Sequence, residues 1–162
     1  MRIIKDRQIA EDTWLHLDDE TALPDSGDVT LSLERLRRDS GALGARKGRL
    51  GVRLRSEQLA ADVGDLLEHL ALVCVEFPKF TDGRGYTTGR LLRDRHGYTR
   101  ELRATGHVLQ DQLYYLARCG YNSFALAPGK SLERALDGFE DFSVSYQAAA
   151  DSREPIFRRV TR

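Results

Sequence analysis

The sequence holds only two cysteines in 162 residues, Cys74 and Cys119, more than forty positions apart. So sparse a set excludes a disulfide framework, a four-thiolate iron–sulfur centre and an all-cysteine zinc site. Net charge is lacking as well: 25 Lys and Arg balance 25 Asp and Glu, so no global basic field draws the chain onto nucleic acid or anionic lipid. No nucleic-acid or membrane partner is expected. No apolar run approaches the ~20 residues that cross a bilayer, and Met1-Arg2-Ile3-Ile4-Lys5-Asp6 is not followed by the apolar core of a secretion signal, which predicts a cytoplasmic protein. A dinucleotide fingerprint is missing too. Gly83, Gly85 and Gly89 are spaced one residue too widely, follow the third apolar run, and lead to Thr105-Gly106 where an acid is required. With no phosphate-loop lysine after a glycine run and no Gly-x-Ser-x-Gly elbow, no cofactor is expected.

What is present suits one domain. A 162-residue chain with 41% hydrophobic residues can bury a core without staples. Apolar runs bounded by turn residues recur at Val29–Leu31, Leu50–Leu54, Leu70–Phe77, Glu101–Thr105 and Ser123–Leu126. Helical patterns lie between them. Leu59, Val63, Leu66 and Leu67 share a face that Ser56 would cap, and Leu132, Leu136 and Phe139 share one that Ser131 would cap. Basic last turns followed by glycine end two further helices at His96-Gly97 and Cys119-Gly120. The alternation predicts an α/β fold of about five parallel strands, either half-barrel-like or flavodoxin-like, with residues Arg2 to Leu17 as an N-terminal β ribbon. A half-barrel would leave sheet edges for the ribbon or a second subunit to cover, so a homodimer is an open expectation. Residues 1–147 form the predicted domain, and 148–162 lose periodicity and read as a polar tail.

The charge and the spacing are both uneven. Met1 to Asp28 carries three bases against eight acids, whereas Lys79 to Arg103 carries seven bases against three acids. Counted from Val29, Leu50, Ala71, Glu101 and Ser123, the strand starts step by 21, 21, 30 and 22 residues, so one unit is about nine residues longer than the rest. The surplus is the polar, glycine-rich Pro78–Tyr86, and long loops in compact units are commonly functional. In parallel sheets ligands bind beyond the carboxyl ends of the strands. That edge gathers Arg55 and Ser56, then Lys79, Thr81, Asp82, Arg84, Tyr86 and Arg90, then His107, Asp111 and Gln112, and last Lys130.

Within Asp82-Gly83-Arg84-Gly85, the two glycines are free to take positive φ and turn backbone N–H groups inward as an anion nest, onto which Arg84 could fork. A tight structural turn, with Asp82 capping the helix and Arg84 paired to a local acid, is the competing reading. His107 stands at a helix start beyond a strand's carboxyl end, where a general base would serve, and Asp111, one helical turn later, would orient it. No third metal ligand accompanies them, so no metal is expected. Cys74 and Cys119 read as packed thiols, and one of Tyr114 and Tyr115 reads as exposed.

Ile3-Ile4-Lys5-Asp6, Phe77-Pro78-Lys79-Phe80-Thr81-Asp82-Gly83-Arg84-Gly85-Tyr86, Leu91-Leu92-Arg93, Asp111-Gln112-Leu113, Ala117-Arg118-Cys119-Gly120 and Asp141-Phe142-Ser143 together resemble an uncharacterised bacterial family that carries the label of an oxidoreductase of sulfite reduction. The resemblance spans roughly Ile3 to Tyr146, and the Phe77–Tyr86 block is its most specific part. It implies a role in assimilatory sulfur metabolism beside sulfite reductase or its electron donor, with no catalytic residue to carry over. Two functions follow as expectations. One is an accessory protein whose basic loop meets an acidic partner. The other is a small oxyanion-binding enzyme in which Lys79 and Arg84 clamp the anion and His107 is the base.

Overall fold

The computed structural model describes residues 1–152 and 154–159. Eight strands form one curled, half-barrel sheet among these residues: β1 (Arg2–Lys5), β2 (Gln8–Glu11), β3 (Leu15–His16), β4 (Val29–Ser32), β5 (Leu50–Leu54), β6 (Leu70–Phe77), β7 (Glu101–Gly106) and β8 (Ser123–Phe124). Their order is β2-β1-β8-β7-β6-β5-β4-β3. Strands β3 to β8 pair in parallel and in sequence order, which is the half-barrel arrangement and sets the flavodoxin-like alternative aside. All five expected core strands are present, because each is an apolar run closed by a turn.

The N-terminal ribbon forms as an antiparallel hairpin of β1 and β2, and β1 continues antiparallel against β8. Its two-residue turn puts Asp6 and Arg7 at φ 49° and 61°, the positive values a hairpin turn of matching twist needs. The chain then crosses the sheet and lays β3 on the opposite edge, beside β4. One N-terminal segment thus covers both edges, which periodicity could not reveal for a strand of two residues.

Helices α1 (Leu33–Arg38), α2 (Ser40–Leu43), α3 (Arg84–Asp94), α4 (Leu113–Arg118), α5 (Leu132–Asp137) and α6 (Ile156–Arg159) lie between or after the strands, with a 3₁₀ helix at Ala60–His69. Ser131 caps α5 as expected, its hydroxyl accepting the Arg134 N–H at 3.2 Å. Ser56 does not cap the 3₁₀ helix; there the Asp62 carboxylate accepts the Leu59 N–H at 2.7 Å. Gly97 and Gly120 take φ 63° and 101°, the left-handed stops read from the sequence.

Alternation divides each strand between two faces. Val29, Leu31, Val52, Leu54, Val73, Val75, Phe77, Leu102, Ala104 and Phe124 join the helices in the main core. The opposite face carries Thr30, Arg53, Cys74, Arg103 and Ser123, and the crossing segment packs Trp14 there against Leu72 and Cys74. Arg103 is 1% exposed and fully partnered: its guanidinium donates to Glu101 at 2.7 Å, Asp12 at 2.9 Å and Ser123 at 3.1 Å. Lys5 reaches the other Glu101 oxygen at 2.7 Å, and His16 bridges Asp12 and Thr30.

The segment expected to be a polar tail docks at its start. The Arg118 guanidinium donates to Asp151 at 2.8 Å and to the Gln147 carbonyl, and Ala149 is buried. The part of that reading at Arg153 and at residues 160–162 lies outside the described residues.

Candidate functional site

The carboxyl ends of β6 and β7 meet at Phe77 and Gly106. There the His107 N–H donates to the Phe77 carbonyl at 2.6 Å, so the Pro78–Gly83 loop and the His107 turn stand side by side on one rim. Gly106 makes this closeness feasible: at φ +90° a Cβ would lie 2.6 Å from the Phe77 carbonyl oxygen. The predicted gathering of these two distant segments is therefore present.

Within the loop, the competing structural reading of Arg84 applies. Its guanidinium grips Asp82 through Nε at 3.0 Å and Nη2 at 2.7 Å, and Nη2 also donates to Ser56 Oγ at 2.8 Å. The grip holds the Asp82 carboxyl well below the usual range, the hydrogen bonds from Arg84 being the largest cause. Neither Gly83, at φ −90°, nor Gly85 takes the positive φ that an anion nest requires. Gly85 lies inside α3, where a Cβ would fall 2.5 Å from the Phe77 ring, and Gly89 meets Tyr121 at 2.4 Å in the same way. Gly85 and Gly89 thus serve the close seating of α3 on two aromatic rings.

The remaining expected residues divide. Lys79 and Thr81 are exposed at the tip of the loop together with Phe80, which is 50% exposed. Tyr86 and Gln112 are joined, Gln112 Nε2 donating to the Tyr86 hydroxyl at 3.3 Å while its Oε1 accepts the Leu109 N–H at 2.9 Å. Gln112 is thereby occupied in holding two elements together. Burial is the chief cause that raises the Tyr86 phenol. Arg90 lies six residues beyond Arg84 on another face of α3 and pairs with Asp94. His107 and Asp111 make no ion pair, because the chain between them is extended at Leu109 and the i, i+4 spacing of a helix never applies. A hollow of about 330 Å³ at this rim is lined by Leu109, Gln110, Asp111, Lys130 and Asp141, two acids to one base, and another of about 320 Å³ takes in Tyr86, Arg90 and Arg118; neither includes Lys79, Arg84 or His107, which the expected hollow was to join.

Ser56, expected at this edge, links the β5 loop to Arg84, and Tyr115 is the exposed member of the Tyr114–Tyr115 pair, 59% exposed and packed at a tilt against Tyr86 with 5.1 Å between ring centroids. Sequence reading did not single out Phe80, which projects from a polar loop and whose one signal is an aromatic side chain in a glycine-rich stretch. The cysteines are as expected: burial pushes Cys74 up to about 12 and raises Cys119. Among the described residues no group of three or more His, Cys, Asp or Glu is placed to hold a metal ion, and no helix is long and apolar enough to cross a membrane.

Fold and rim together define a curled α/β half-barrel that presents one stiffened, polar loop beyond the carboxyl end of its sheet. A family model described as a bacterial protein of unknown function (DUF934) matches residues 51–157, more than half of the chain, and the chain belongs to that family. No curated protein matches it.

Proposed function

We propose that this chain is an accessory protein of assimilatory sulfite reduction, docking through the Lys79–Tyr86 loop onto an acidic face of sulfite reductase or of the protein that supplies its electrons. The link to sulfite rests on the resemblance carried by the Phe77–Tyr86 block. The docking mode rests on one observation: Arg84, Asp82 and Ser56 lock the base of the loop to the neighbouring loop, leaving Lys79, Phe80 and Thr81 exposed at its tip. A stiffened base lowers the entropy lost on binding, an exposed aromatic is a common interface anchor, and a neighbouring lysine at the rim steers an acidic partner. An oxyanion-binding enzyme has less support, since the Arg84 fork is filled by Asp82 and no carboxylate among the described residues pairs with His107. The expected cytoplasmic location belongs to the same proposal.

A deletion strain supplied with sulfate or sulfite as its only sulfur source tests the role. It should fail to grow until a reduced sulfur source is added, and a gene carrying Lys79→Glu and Phe80→Ser should not restore growth. Normal growth of the deletion strain would end the proposal.

A further inference from the structure

At the rim opposite the docking loop, the amino-terminal ends of β5 and β6 border a cavity of about 780 Å³. That volume falls within the ~300–1,000 Å³ typical of small-molecule sites. Its walls are leucines from five elements: Leu36 of α1, Leu43 of α2, Leu66 of the 3₁₀ helix, and Leu50 and Leu70 at the starts of β5 and β6. Leu43, Leu50 and Leu66 are each only half-buried, so packing within the chain leaves part of this apolar surface unsatisfied.

Two further observations single out this cavity. The ladder between β5 and β6 is interrupted there, since Leu50 pairs with Leu70 but Gly51 with Leu72, which leaves Ala71 as an extra residue in the cavity wall. Bulges of this kind concentrate beside functional sites because they re-aim the strand. The lining also has a sign. It contains Arg49, His69 and Arg100 and no carboxylate. Arg49 is neutralised by Asp28 at 2.5 Å, and His69 lies 3.2 Å from Glu68. Arg100 differs from both. One of its nitrogens donates to the Glu68 and Leu70 carbonyls, each at 2.9 Å, and among the described residues no carboxylate pairs with it. A guanidinium steered by two carbonyls to the mouth of a leucine-lined cavity, with charge left to satisfy, is complementary to an anionic head on an apolar tail. Helix α2 closes one side of the cavity and buries none of its residues, so this wall can yield to a ligand with little loss of core packing.

We propose that this cavity binds an amphipathic anion, an alkyl carboxylate being the simplest, with its tail on Leu36, Leu43, Leu66 and Leu70 and its head on Arg100. The site is remote from the docking loop and independent of the sulfite reading.

Isothermal titration of the full chain with decanoate, decyltrimethylammonium and decanol, each below its aggregation limit, tests it. Decanoate should bind saturably at one site per chain, and the cation of equal tail length should bind about tenfold more weakly or not at all. Arg100→Gln should weaken decanoate about tenfold and leave decanol unchanged. Leu66→Trp and Leu43→Trp should each remove binding of both by filling the cavity, with the far-ultraviolet circular dichroism of the parent retained. Leu43 lies on an exposed turn, so its variant folds even where Leu66→Trp does not. Equal binding of decanoate and decyltrimethylammonium, binding of neither decanoate nor decanol, or undiminished binding in Leu43→Trp would overturn the proposal.

Discussion

On the helix-covered face of the sheet, Val52, Val73, Leu102 and Phe124 meet other apolar side chains, whereas one residue away along the same strands Arg53, Cys74, Arg103 and Ser123 face a network of ions and hydroxyls. Both faces are buried at their centre. The first is stabilised by area removed from water, to which each leucine contributes on the order of 2 kcal/mol. The second depends on the completeness of its partners, because a buried charge deprived of its partner costs more than the pair contributes. The comparison teaches that the N-terminal segment is structural: by crossing the sheet it delivers Asp12 and Trp14 to a face that would otherwise be wet.

Arg103→Leu breaks the comparison most severely. It leaves Asp12 and Glu101 facing each other without their shared cation and should cost about 3–5 kcal/mol in urea unfolding, more than the same loss of volume would suggest. A cost under about 1 kcal/mol would show that the network is dispensable. Acid should act on the same face. Burial is the largest influence on Asp12 and Glu101 and acts to raise both. Hydrogen bonds and charge from His16 and Arg103, and from Lys5 and Arg103, more than offset it, so both carboxyls lie below their ordinary 3.8 and 4.5. A carboxyl depressed in the fold stabilises it above the unfolded value and loses that contribution as pH falls through the folded value. Urea midpoints should therefore hold level from about pH 7 to 5 and decline below about 4.5, and the decline should flatten in Arg103→Leu.

The apolar face predicts a smaller effect. Gly89→Ala adds a methyl that would meet Tyr121 at 2.4 Å, and should cost about 1–3 kcal/mol although alanine favours helix by about 1 kcal/mol. A gain in stability would mean that α3 is not closely seated. Smaller still is the thiol response. Cys74, pushed up to about 12 by burial, should resist a disulfide reagent at neutral pH in the folded protein and react once urea unfolds it.

The two faces also differ in how far the sequence exposed them. The apolar strands were legible because their runs, and the glycine stops at Gly97 and Gly120, are local signals. Glu101-Leu102-Arg103-Ala104-Thr105 reads as a strand and is one, yet nothing local in it marks Glu101 and Arg103 as members of a buried ionic network. Their burial depends on Asp12, 91 residues earlier, and no periodicity reports a partner at that distance. The rim was half legible for the same reason. Strand ends placed the Pro78–Gly83 loop beside His107, but the Arg84 grip on Ser56 joins positions 28 apart, and the His107–Asp111 spacing presumed a helix that the extended Leu109 does not allow.

Least of all should the tip of the loop affect folding. Lys79→Glu with Phe80→Ser should leave stability within about 0.5 kcal/mol of the parent while altering association, since both side chains are exposed. Direct binding measures that association. The chain is immobilised and exposed to purified sulfite reductase and, separately, to its purified electron donor, at about 50 and 500 mM salt. One of the two should bind the parent, more weakly at the higher salt and about tenfold more weakly to the double variant. Binding of neither protein, or binding indifferent to both salt and the two substitutions, would contradict the docking account.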